Sequence, residues 1–379
     1  MRILYLCEGK HDDIRYWSGT EYHIARMLSD MGNEMIYLDQ VKGSFPVRAV
    51  CKAASKMTGR QYKAIREPWN MKAAARRICR FRQGKRYDLI FTTCTPLLAY
   101  LPVDCPRVIY TDTSFAGWLE YCRLFSPLAE RSVRYGNIQE KMGLKSCRQI
   151  IYSSQWAKDM AAKAYGIPAE RMAVVPFGAN FVCDLTEEER ERIYKDRLAA
   201  KEKRLLFVGF NWRNKGGERA LDAVREMNRR GMRTKLLVVG CTPLIREQDR
   251  ELVEIYGFLD KNKEEDKKKL RELYLRAHLF ILPTWFDCTP IVLTEAASFG
   301  LPTLVTDTCG VSDMMVDGVS GKLMAYQAVG EDYAEKAMEM LKEGARYQKW
   351  CIDARQAYEE HFNWQKAGER IQGILEGIL

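Results

Sequence analysis

Several common sources of chemistry are missing from this chain of 379 residues. It has four histidines, His11, His23, His278 and His361, and none forms an HExxH pair or joins a cysteine cluster, so no zinc site is indicated. No Asp-x-Asp occurs, which removes a common way of holding a divalent metal on a diphosphate. GxGxxG is absent, which argues against a nicotinamide cofactor, and GxxxxGK[ST] is absent, which excludes a P-loop. No apolar run approaches the roughly 18–20 residues that span a bilayer. Met1 leads straight into Ile3–Cys7 without a signal-peptide pattern, so the expected location is the cytoplasm. The twelve cysteines are scattered without a CxxC pair, as free, mostly buried thiols are.

What is present is a globular composition, 47% apolar and 29% charged, at a length that suggests two domains. The net charge of +10 is localised. Between Arg48 and Arg86, thirteen lysines and arginines face one acid, Glu67. That segment reads either as a solvated helix face or as a surface attracting anionic lipid headgroups or an anionic acceptor. Nucleic acid is not expected, because no recognition motif accompanies the charge.

Short apolar runs alternate with helical patterns throughout. The predicted strands are Ile3–Cys7, Glu34–Leu38, Leu89–Thr93, Val108–Thr111, Ile150–Ser153 and Ala173–Pro176, then Leu205–Phe210, Lys235–Val239, Val253–Phe258, Leu279–Pro283 and Thr303–Thr306. Continuous apolar strands joined by helices imply two doubly wound α/β domains, Rossmann-like, over 1–180 and 181–363, with a cleft between them. Thr186-Glu187-Glu188-Glu189 reads as a capping box opening a charged helix to about Lys203, a connector without an apolar stripe. Asn363 caps a tail helix, 364–379, expected to pack back on the first domain.

The segment from Ile281 to Pro302 carries the most chemistry. A strand ends near Pro283, a loop holds Asp287, and a helix opens at Pro290 with Thr289 as N-cap. Glu295 is the only ionisable residue of that helix. A buried carboxylate needs partners, and the vicinal diol of a ribose supplies two donors. The N–H groups of Ile291 and Val292 suit a diphosphate, and Asp287 suits hydroxyls of a sugar beyond it. The bland alternative pairs Glu295 with a basic residue of its own domain and leaves Asp287 capping a turn. A strand, Leu205–Gly209, leads into Phe210-Asn-Trp-Arg213-Asn-Lys215-Gly216-Gly217, a turn with two cations and two glycines that suits a polyphosphate. Gly19 permits close backbone approach to a ligand, and Asp112 ends a strand where a polar residue faces the ligand side or caps the next turn.

These residues resemble glycosyltransferase family 4. Asp287 and Glu295 match its two carboxylates seven residues apart, and Lys215-Gly216 after Val208-Gly209 is similar to its diphosphate loop. Val174–Asn180 and Phe362-Asn363-Trp364 look like its interdomain stretch and its tail, and Tyr110–Phe115 and Tyr152–Ala157 are similar to a bacterial branch. The resemblance implies a GT-B fold, a donor on the C-terminal domain, an acceptor on the N-terminal one, and transfer with retention. It implies that Glu295 holds the ribose, and that Asp287 and Thr289 lie along the donor sugar and its loop. Lys215, Ile291 and Val292 would hold the diphosphate, the backbone near Leu259 would meet the base, Gly19 would approach the phosphates and Asp112 would stand near the reacting carbon. Two features depart from the family. Asp287 stands where Glu is more frequent, and the phosphate-loop arginine is absent from its usual places, leaving Arg213 as its substitute.

The expected function is transfer of a hexose-type sugar from a UDP-, GDP- or ADP-sugar to an acceptor hydroxyl on a glycolipid, polysaccharide or other glycan, without a metal or other cofactor. Asp112, Lys215 and Asp287 are the expected catalytic residues. The expected partners are the nucleotide sugar, a glycan or lipid-linked acceptor, and an anionic membrane through residues 48–86, which would place the protein peripherally on the inner face of the plasma membrane. A sugar-nucleotide epimerase of the same fold and a non-catalytic partner subunit are the alternatives.

Overall fold

The computed structural model describes residues 1–41, 44–102, 104–342 and 344–379. The chain divides into two compact units, Met1–Pro176 with Ala367–Leu379, and Phe177–Lys366.

The first unit holds a parallel sheet of six strands: β1 (Arg2–Leu6), β2 (Glu34–Leu38), β3 (Leu89–Thr92), β4 (Arg107–Thr111), β5 (Gln149–Tyr152) and β6 (Met172–Val174), in the order β2-β1-β3-β4-β5-β6. The second holds β7 (Lys203–Val208), β8 (Thr234–Val239), β9 (Val253–Gly257), β10 (Leu279–Leu282), β11 (Thr303–Thr306) and β12 (Gly321–Met324), in the order β12-β11-β10-β7-β8-β9. Helices cover the sheets, and the inner strands are buried over their full length, as in Leu89–Thr92 and Leu279–Leu282. That two-sided burial is why these strands read as unbroken apolar runs. The α/β class expected from the sequence is the one observed. Strand β12 was not expected, because Gly-Lys-Leu-Met carries no β-branched residue and is only partly buried.

Each strand order reverses once, between β1 and β3 in the first unit and between β7 and β10 in the second. Loops leaving the carboxyl ends of such strand pairs diverge to opposite faces of the sheet and leave a crevice.

The charged helix Glu187–Ala199 has the expected capping box, with Thr186 accepting from the Glu189 N–H and Glu189 from the Thr186 N–H. It is not a loose connector. Its Arg197 is 2% exposed and donates to the carbonyls of Tyr274, Leu275, Phe299 and Gly300. The helix is seated through one buried guanidinium, which leaves no apolar stripe to read. In the tail, Asn363 accepts from the Lys366 N–H and opens helix Trp364–Glu376.

His278, just before β10, is 1% exposed, and its Nδ1 accepts the Arg204 N–H at 3.0 Å. Burial, with Lys203 and Arg197 nearby, pushes its pKa down to about 3. Between pH 6.5 and that value the unfolded chain takes up a proton that the folded chain refuses, so stability falls as pH falls. Moving from pH 7 to pH 5 should cost the second unit about 2 kcal/mol through this residue. In urea unfolding, His278→Asn, whose amide oxygen takes the place of Nδ1 as the acceptor for Arg204, should lose that part of the pH dependence; an unchanged slope would contradict the assignment.

Candidate functional site

In the second unit, the loops after β7 and β10 flank the point of strand-order reversal. They are locked together by backbone. The Asn214 carbonyl accepts the Trp285 N–H at 2.9 Å and the Thr284 hydroxyl at 3.2 Å. Gly216 (φ +73°) sits so close to Pro283 that an added Cβ would lie 1.8 Å from its carbonyl oxygen. Only glycine satisfies both that backbone angle and that approach. Gly209 plays a related part, since a Cβ there would meet Cγ of Lys215 at 2.9 Å. The glycines therefore make room for the lysine stem and bring its ammonium onto Asp287, with which it forms an ion pair. Asp287 Oδ1 also accepts the Thr289 N–H at 3.3 Å.

The helix behind this loop spans Ile291–Ser298, and its N-cap is Pro290, not Thr289. The reason is local. The Thr289 N–H is turned onto Asp287, and Pro290, at φ −74° and ψ 87°, is still outside the helix. No side chain caps this end, and the Ile291 and Val292 N–H groups meet no acceptor among the described residues. Thr294 and Ser298 bond back to the carbonyls of Ile291 and Glu295, which leaves Glu295, 1% exposed, as the one buried charge. Its Oε1 pairs with Lys261 and its Oε2 accepts the Tyr274 hydroxyl at 3.1 Å. Burial, then the Glu295 charge, holds the Tyr274 hydroxyl far above its ordinary pKa, so it stays a donor. The tyrosine ring stacks on Phe299 at 4.8 Å.

The structure thus brings Lys215 and Asp287 together and gives each carboxylate a basic partner from its own unit. Arg213 is not gathered in: its side chain is exposed, without a hydrogen bond or ion pair among the described residues. Arg219, unforeseen in the sequence, lies over the Trp285 ring at 3.5 Å instead. Leu259 is half-buried, next to the exposed pair Phe210 and Phe258, whose rings lie 5.7 Å apart. Lys261 was also missed, because it opens a polar run that reads as a solvated surface.

In the first unit, Gly19 (φ +87°) precedes helix Thr20–Asp30, after Trp17 and Ser18, which also have positive φ. Asp112 is half-buried at the end of β4, and the next helix is capped by Ser114, which accepts the Gly117 N–H, so Asp112 does not serve as that cap. A carboxyl network beside β1 and β3 has no signal in the local sequence. There Glu21, 1% exposed, accepts from the Tyr5 and Thr93 hydroxyls at 2.7 Å each, and burial raises its pKa.

A profile described as Glycosyltransferase Family 4 matches residues 21–181, and one described as Glycosyl transferases group 1 matches residues 202–343. The chain belongs to glycosyltransferase family 4. It is 26% identical over 247 residues to the lipopolysaccharide glucosyltransferase WaaG of Escherichia coli, covering 62% of this chain and 64% of WaaG. It is 21% identical over 249 residues to the α-D-kanosaminyltransferase of Streptomyces kanamyceticus, covering 63% of each. The matches thus span less than two thirds of these relatives. In three dimensions the crystal structure of WaaG superposes with a TM-score of 0.66 at 16% identity, over 99% of this chain and 100% of WaaG. HepE from Anabaena in complex with UDP-glucose superposes with a TM-score of 0.65 at 15% identity, over the whole of both chains. At such identities these likenesses establish the GT-B fold.

The basic segment is also placed. Helix Phe45–Thr58 exposes Arg48, Lys52 and Lys56, one turn apart, along one stripe. Beside them it exposes Phe45 (73%), Val50 (68%) and Met57 (87%). Other cations of the segment are occupied within the unit: Arg66 pairs with Glu140, Arg82 with Asp104, and Arg77 donates to the carbonyls of Asp39 and Gln40. Among the described residues, no helix is long and apolar enough to cross a membrane.

Proposed function

We propose that this protein transfers a hexose-type sugar from a nucleoside-diphosphate sugar to an acceptor hydroxyl, with retention of anomeric configuration and without a metal ion. The observation that carries the reading is the grouping of Lys215, Asp287, two unbonded N–H groups and a buried Glu295 at the reversal point of the second sheet. The named activities of WaaG and the kanosaminyltransferase, and the UDP-glucose bound to HepE, support it by analogy.

In this reading the diphosphate lies on the Ile291 and Val292 N–H groups with Lys215 beside it. Lys215 leaves Asp287 for the phosphate, and the freed carboxylate accepts from sugar hydroxyls. The base meets the backbone near Leu259, and Thr289 lines the sugar. The acceptor oxygen attacks the anomeric carbon as the bond to the diphosphate oxygen breaks, and the acceptor proton passes to a departing phosphate oxygen. Lys215 and the helix N-terminus stabilise the charge growing on that phosphate, as a metal does elsewhere. Among the described residues one grouping of three candidate metal ligands occurs, His11, Asp12 and Asp39, in the first unit.

The donor reading is tested by calorimetry and thermal shift with UDP, GDP and ADP in EDTA. One of them should bind and raise the Tm, and Lys215→Met should weaken it at least tenfold, since a charge-assisted contact is worth about 1.5–3 kcal/mol. If no nucleoside diphosphate binds, the reading fails. Epimerised sugar released from a nucleotide sugar without acceptor, or an inverted anomeric centre in the product, would also contradict it.

The solvent face of helix Phe45–Thr58, a cationic stripe with exposed Phe45, Val50 and Met57 beside or within it, supports an anionic bilayer as the surface on which this enzyme works. The protein should sediment with phosphatidylglycerol vesicles and not with phosphatidylcholine, and Arg48→Glu with Lys52→Glu and Lys56→Glu should abolish binding. Equal sedimentation with both lipids, or with neither, would overturn this assignment.

A further inference from the structure

The first unit holds a polar site at its own strand-order reversal. Glu8 leaves β1 and accepts the Tyr16 hydroxyl at 3.2 Å, and the Cys94 thiol beyond β3 lies 3.9 Å from the same carboxylate. Segment 61–66 is joined to the chain between Pro127 and Ser132. It is pinned by the Gln61 N–H on the Pro127 carbonyl (3.0 Å), the Ala129 N–H on the Gln61 carbonyl (3.0 Å) and the Lys63 N–H on Ser132 Oγ (3.0 Å). These bonds fix the backbone of Lys63, and its ammonium lies 5.3 Å from the centre of the Trp118 ring.

The two cations of this segment differ. Arg66 is satisfied, ion-paired to Glu140 at 3.2 Å and stacked over Phe115 at 4.2 Å. The Lys63 ammonium is half-buried and has neither a hydrogen-bond acceptor nor an ion-pair partner among the described residues. Burial lowers its pKa, and Cys122 and, less, Glu8 act in the opposite sense. An indole face compensates a desolvated ammonium only in part and leaves its three donors unused. A half-buried ammonium held this way, beside an indole and with its donors unused, is poised for an anion.

We propose that Lys63 binds an anionic group, a carboxylate or phosphate, carried by the saccharide acceptor, with Trp118 holding the ammonium in place and Glu8 and Tyr16 engaging hydroxyls of the same saccharide. This rests on the glycosyl-transfer reading and narrows its acceptor to acidic or phosphorylated sugars. Lys63 is a specificity residue here and takes no part in bond breaking.

The test is binding to the full chain, without donor, of glucose, glucuronate, glucose 6-phosphate and inorganic phosphate, followed by calorimetry at low and high salt. Glucuronate or glucose 6-phosphate should bind at least tenfold more tightly than glucose. The preference should vanish in Lys63→Met, persist in Lys63→Arg, and persist in Lys215→Met, which removes the cation of the donor loop. Nucleoside-diphosphate binding should be the same in Lys63→Met as in the wild type, so loss of the donor reading and loss of this one give different results. Equal affinity for glucose and its acidic forms, a preference that survives Lys63→Met, or inorganic phosphate binding as tightly as the sugar phosphate would each overturn the proposal.

Discussion

A carboxylate buried in an apolar helix constrains everything around the donor loops. Stripped of water, an unpaired Glu295 would cost several kcal/mol or take up a proton. The chain answers with two donors, Lys261 from the loop after β9 and Tyr274 from helix Glu264–Arg276. A carboxylate has room for about four donors. Lys261 and Tyr274 use two, and the two hydroxyls of a ribose match what remains. In the proposed function the ribose diol takes those positions, and Lys261 compensates the charge throughout.

Asp287 obeys a different rule. It lies in a loop, half-buried, and exchange of partners costs it less. Its pairing with Lys215 is produced by two glycines, one allowing loop-to-loop contact at Pro283 and the other allowing the lysine stem to pass. Both residues then wait on the same small surface as the unbonded helix N–H groups. In the proposed function, a diphosphate separates the ion pair and gives each member a new partner, the lysine a phosphate and the aspartate a sugar. The energetic cost of opening the pair is offset by charge-assisted contacts of similar strength.

Much of the fold was legible because inner parallel strands buried on both faces leave unbroken apolar runs, while the half-exposed edge strands β2 and β9 showed through their β-branched and aromatic residues. Strand β12 escaped because an edge strand that is half-exposed needs no such run. Lys215, Asp287 and Glu295 were legible because each is an ionic residue out of keeping with its neighbours. Lys261 and Lys63 were not, since a lysine among lysines has no local signal and only tertiary placement gives it a role. Helix Glu187–Ala199 was misjudged for the converse reason, its anchor being the buried guanidinium of Arg197 instead of an apolar stripe. The sheet order, which sets where ligands bind, is a tertiary fact and had no sequence marker of its own.

The central claim, that Glu295 receives the ribose diol of the donor, is tested most directly by comparing a bound nucleoside diphosphate with its 2′,3′-dideoxy analogue on the wild-type protein and on Glu295→Gln. Loss of the diol should weaken binding to the wild type at least tenfold. In Glu295→Gln, whose amide still pairs with Tyr274, the two ligands should bind nearly equally. An equal loss in both proteins, or none in the wild type, would show that the diol lies elsewhere and that Glu295 serves only its lysine.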